Sequence, residues 1–194
     1  MSVAFPGFDS PAAGFELPFE MLAACHDRVR RSLALLARLV SHVQNHGHDA
    51  SSRSAAADVL RYFDLAAPLH HQDEERHVFP LFTAGVAGAA EDRDADADVE
   101  LRLAVAGLRR DHARMEALWA GLRVTLADWA PPTAAGRPDA GWLGQASAFG
   151  DPYVAHLQVE ESAVFPAARS RISGAALAAM SKDMAQRRTN PEPP

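Results

Sequence analysis

Cysteine is almost absent. Cys25 is the one thiol in 194 residues, so no disulfide can form within the chain, and a reducing cytoplasm is the expected compartment. A basic excess is also lacking. Nineteen Lys and Arg stand against 25 Asp and Glu, a net charge of −6, which argues against a nucleic-acid-binding face as the main business. Long apolar runs are missing as well. The longest, Leu33 to Val40, is broken by Arg38 and is far short of the roughly 20 residues of a spanning helix, so no membrane segment is expected. Residues 1–18 have neither the basic start nor the continuous apolar stretch of a secretory signal. Alternating Val/Ile/Thr runs and hairpin dipeptides are scarce, which leaves little to build a sheet. What the sequence does hold is helical periodicity and nine histidines.

From Phe19 the apolar positions step by three and four through Leu22, Val29, Leu33, Leu36, Val40 and Val43, and one polar residue, His26, interrupts the stripe. This predicts a first helix over 16–46, capped by Gly47. A second helix is predicted from Ser51 to Phe82, with a kink at Pro68. An acidic connection follows over residues 85–98. The third helix repeats the first: Leu101, Val105, Leu108, Met115, Trp119, Leu122, Leu126 and Trp129 form a seam that His112 interrupts. After a linker over 131–141, a fourth helix is predicted from Trp142 to Arg171. A short amphipathic helix over 175–188 then presents Leu177, Met180 and Met184, either to the rest of the chain or to a second copy in a homodimer. The expected architecture is all-α: an up-down-up-down four-helix bundle over 16–172, preceded by an extension over 1–15 and followed by a short extra helix and disordered tail over 173–194.

The second and fourth predicted helices share a motif. His70-x-Gln72-x-Glu74-Glu75-x-x-Val78-Phe79-Pro80 matches His156-x-Gln158-x-Glu160-Glu161-x-x-Val164-Phe165-Pro166. The two copies are offset by 86 residues, and so are the lone seam histidines His26 and His112. The chain therefore reads as two copies of one helical hairpin about a pseudo-twofold axis. Residues four apart share a helix face, so His70 with Glu74, and His156 with Glu160, project together. Four imidazoles and two carboxylates would then meet at one level of the core, a costly arrangement without cations. Imidazole and carboxylate suit first-row transition metals, and six or seven ligands suit a dinuclear centre better than one tetrahedral zinc. Two metal ions are expected, iron first, with manganese or zinc as alternatives.

At these residues the chain resembles the hemerythrin family in its bacterial HHE cation-binding branch, over residues 16–170. The resemblance implies a bundle holding two irons, with Glu74 and Glu160 as bridging carboxylates. In the family's oxygen carriers the third helix supplies a second histidine four residues after the first, and here Glu116 stands at that position. Glu116 is thereby a candidate seventh ligand, joining His112 and His156 on one metal. His26 and His70 would hold the other, where the open coordination position would lie. An anionic oxygen donor in place of imidazole favours the ferric state and weakens the expectation of reversible oxygen carriage.

Glu75 and Glu161, one residue further round, are expected to bond outward or to support the ligands. Arg30, which stands where the second half has Glu116, is expected to point to solvent. His71 and His77 have no histidine counterpart in the other half and read as structural or surface residues, and His42, His46 and His48 as a solvated helix end. Two function classes follow. One is a non-haem diiron protein that binds or reacts with O2, NO or peroxide; the other is an iron, oxygen or redox sensor or a metal store without turnover. No appended DNA-binding or kinase region is expected, which weakens the sensor.

Overall fold

The computed structural model describes residues 14–83, 95–134 and 137–189 and is helical throughout, with no strand among the described residues. Helix α1 (Pro18–His46) starts on a proline, whose missing N–H is no loss in a first turn, and ends at Gly47. There the φ of 78° needs glycine, and the Gly47 N–H closes on the Val43 carbonyl. Helix α2 (Ala50–Arg61) opens with a capping box: the Asp49 carboxylate accepts from the Ser52 N–H, and the Ser52 hydroxyl accepts from the Asp49 N–H. The chain stays helical through a π turn (Tyr62–Ala66), α3 (Ala67–Asp73), a second π turn (Glu74–Val78) and a 3-10 turn (Phe79–Phe82). Then come α4 (Ala95–Trp129), α5 (Ala140–Phe149), α6 (Asp151–Val159), a third π turn (Glu160–Val164), α7 (Phe165–Arg171) and α8 (Gly174–Thr189). With α5 to α7 counted as one helix interrupted at Gly150, these make five among the described residues.

The π turns have a common cause. The N–H of Ala67, Phe79 and Phe165 closes on the carbonyl of Tyr62, Glu74 and Glu160, and in each case the next residue is proline: Pro68, Pro80 and Pro166. Proline has no N–H and its ring crowds the carbonyl four residues back, so widening the turn before it relieves both problems without ending the helix. The kink expected at Pro68 is therefore a π turn through which the helix continues.

Two apolar clusters fill the interior. One contains Val29, Leu36, Phe63, Met115, Leu122 and Phe149; the other contains Phe19, Leu22, Phe79, Leu108, Phe165 and Met180. The chain leaves one cluster and joins the other at His26, at His70–Glu74, at His112 and at His156–Glu160, alternating direction each time. All six of those polar residues are buried between the clusters.

Helix α8 lays its apolar face on its own chain, with Met180 and Met184 fully buried in the second cluster. Its polar face is tied down too. Arg187 and Arg188 both pair with the buried carboxylate of Asp73, and Asp183 accepts from Arg187 and bonds to His77 at 2.7 Å. His77 is thus an anchor for α8. Of the expected segments, residues 1–13, the acidic connection up to residue 94 and the tail from residue 190 lie outside the described residues.

Candidate metal centre

Six of the residues singled out in the sequence come together: His26, His70, Glu74, His112, His156 and Glu160. They form two overlapping groups of potential metal ligands. One is His26, His70, Glu74 and Glu160; the other is Glu74, His112, His156 and Glu160; in each, the candidate ligand atoms lie within 4.8 Å of one another. The glutamates belong to both groups because each divides its two oxygens. Glu74 Oε1 is 3.3 Å from His70 Nε2 and 3.8 Å from His26 Nε2, while its Oε2 is 3.4 Å from His112 Nε2. Glu160 Oε2 is 3.2 Å from His26 Nε2, and its Oε1 is 3.2 Å from His156 Nε2.

The elements explain this convergence. His70 and Glu74 are one α-turn apart, as are His156 and Glu160, and each glutamate is the first residue of a π turn. A π turn takes a smaller angular step per residue than an α-helix, so the following Glu75 and Glu161 stay close to the same side. Both reach across to a neighbouring helix. His112 Nδ1–H donates to Glu75 Oε1 at 2.8 Å, and His26 Nδ1–H donates to Glu161 Oε1 at 2.8 Å. With Nδ1 held in this way, each ring turns an unprotonated Nε2 towards the glutamate pair. Phe79 stacks on His112 and Phe165 on His26, both at 26° between ring planes, fixing the other degree of freedom. The two sets correspond through the 86-residue offset with the halves exchanged: His26 with Glu161 and Phe165 matches His112 with Glu75 and Phe79.

The donor set fits cations. Both oxygens of Glu74 and of Glu160, both nitrogens of His70 and His26 Nε2 are buried without a hydrogen-bond partner among the described residues. Two unpartnered carboxylates in one dry layer are unfavourable unless positive charge lies between them. Burial, and then the neighbouring Glu160 charge, push Glu74 well above the ordinary carboxylate range. Burial acts on Glu160 as well, but the close imidazoles of His156 and His26 outweigh it and hold its carboxyl below that range. Burial lowers His70 far below its ordinary 6.5 and lowers His112 to about 3, which leaves these imidazoles neutral, the form that binds metal.

Glu116 stands apart. It is exposed, belongs to neither group, and lines a small cavity outside His112 with Glu75 and His71. Its helix α4 has no π turn, and the residue one α-turn beyond His112 emerges at the surface. The ring of His71, by contrast, stacks on His112 at 3.9 Å and 11°, so it is part of the site's wall rather than a bystander. Arg30 does not point to solvent alone: its guanidinium grips both oxygens of Glu161, at 2.8 and 2.9 Å, behind His26. Glu75 and Glu161 support the ligand histidines, one of the two roles expected of them, while spacing within one helix could not reveal the contacts of Arg30 or His71, which cross between helices. The repeat does carry a signal for the two glutamates, since both motifs read Glu-Glu.

An all-helical fold with buried paired histidines and shared carboxylates defines a metal-binding helical protein. The chain belongs to the hemerythrin family: residues 17–168 match the hemerythrin HHE cation-binding domain. Domains of this family bind metal cations and, through the metal, small ligands such as O2. A protein of Haemophilus influenzae described as uncharacterized is 43% identical over 63 residues, which cover 32% of this chain and 37% of that one. No helix among the described residues is long and apolar enough to cross a membrane.

Proposed function

We propose that this chain is an up-down-up-down four-helix bundle that holds two iron ions and binds or reacts with O2, NO or peroxide in the cytoplasm. His26 and His70 hold one ion, His112 and His156 hold the other, and Glu74 and Glu160 join them. The observation that carries the reading is the division of each glutamate's oxygens between two histidine pairs, an arrangement suited to two ions and not to one. When bound, the iron pair supplies electrons or an open coordination position to a small molecule. The protein's own part is to fix the two ions close together, keep them dry and orient the imidazoles through Glu75 and Glu161. The clusters above and below the layer exclude bulk water, so the reachable ligand is small.

Protein purified without added metal and analysed for metal content is expected to carry close to two iron ions per chain. A content near zero that Fe(II) reconstitution under argon does not raise would sink the reading. Consumption of peroxide or NO that is lost in His70→Ala supports reaction; stoichiometric uptake without turnover supports binding alone.

A further inference from the structure

The 86-residue repeat supplies an internal control. Each half has a cavity in the same place outside its α1 or α4 histidine, and corresponding residues line the two: Glu161 and Glu75, Gln158 and Gln72, Leu157 and His71, Arg30 and Glu116. Their character differs. On the first side Arg30 grips Glu161, Leu157 is apolar, and His26 is fully buried and absent from the wall. On the second side, a cavity of about 200 Å³, His112 itself forms part of the wall and no Lys or Arg lines it. Glu116 takes the place of the sealing arginine, and among the described residues His71 has no hydrogen-bond partner. Behind His112, the buried and unpartnered Glu74 Oε2 lies 3.4 Å from its Nε2.

We propose that divalent cations load into the centre through this second cavity, with Glu116 and His71 as transit contacts on the way to His112, while Arg30 closes the matching route on the other side. Two carboxylates in a cavity whose described lining holds no Lys or Arg attract a hydrated divalent ion and raise its local concentration. The His71 ring and the carboxamide oxygen of Gln72, both in the cavity wall, offer donor atoms as it sheds water. On the first side the Arg30–Glu161 pair cancels the charge, and the guanidinium repels the same ion.

The inference rests on the dinuclear reading above, and the test separates the two. Metal-free protein is mixed with Co(II) under argon, and the ligand-field absorption of the bound ion is followed in a stopped-flow instrument. Glu116→Arg, which copies Arg30, is expected to slow loading about tenfold while the final count of cobalt per chain stays at the wild-type value. Glu116→Gln should slow it less, and Arg30→Gln, which unblocks the matching route, should speed it. Added KCl should slow the wild-type protein and leave Glu116→Arg little changed. Loading of Glu116→Arg at the wild-type rate, or equal slowing in Arg30→Gln, would overturn the route. Wild-type protein that takes up no Co(II) at equilibrium overturns the dinuclear reading itself, and this route with it.

Discussion

A histidine can serve a metal only through a nitrogen that carries no proton, and in this chain the protein makes that choice before any ion arrives. Glu161 and Glu75 accept hydrogen bonds from the Nδ1–H groups of His26 and His112, and burial keeps His70, His71 and His112 neutral. The same burial has a cost in acid. His112 titrates at about 3 in the folded state against an ordinary 6.5, so across that window the unfolded chain binds a proton that the folded chain refuses. Stability must therefore fall as pH drops below 6.5, by about 2 kcal/mol for His112 alone on reaching pH 5. Burial sends His71, likewise lowered to about 3, in the same direction. Chelator-treated protein is thus expected to unfold at a lower urea concentration at pH 5 than at pH 7. Equal midpoints would contradict the assignment of these rings as buried and neutral.

At the scale of the elements, the π turns determine what the glutamates can do. Pro166 prevents the turn at Glu160 from tightening into regular helix, and that keeps Glu160 and Glu161 on one side of it. Replacing Pro166 with Ala restores an N–H and lets the turn shorten, which draws Glu161 away from His26. Metal affinity is expected to fall about tenfold while the helical circular dichroism signal is unchanged, as a chelator-competition titration would show. Much of this was legible in the sequence. His70 with Glu74, and His156 with Glu160, are local pairs, and one duplicated spacing relates all four histidines. The π turns were not legible, although their signal is present as a proline six residues after each of those glutamates. A proline in a helical pattern reads as a kink or a stop, and only the surrounding packing shows that the chain continues. Arg30 was legible only in part, for a related reason: it is exposed, as periodicity on its own helix reports, but its guanidinium also bends across to Glu161.

At the scale of the molecule, α8 is a structural part of the fold. Met180 and Met184 close the cluster below the metal layer, and Asp73, next in sequence to Glu74, is buried only because Arg187 and Arg188 reach it from α8. Met184→Ala should cost about 3 kcal/mol of stability in urea unfolding, the amount typical of a fully packed methionine. A loss below about 0.5 kcal/mol, the level of a surface change, would show that α8 is not seated as described.

The crossed-over wiring of the two halves has a further consequence. Each histidine pair is local to one hairpin, but His26 depends on Glu160 and Glu161, and His112 on Glu74 and Glu75, from the opposite hairpin. Neither hairpin can complete a coordination sphere alone. Bound ions would accordingly work as a clasp, fastening residue 26 to residue 160 and reporting that both hairpins have closed. A chelator would open the clasp, so resistance to proteolysis becomes a measure of metal occupancy.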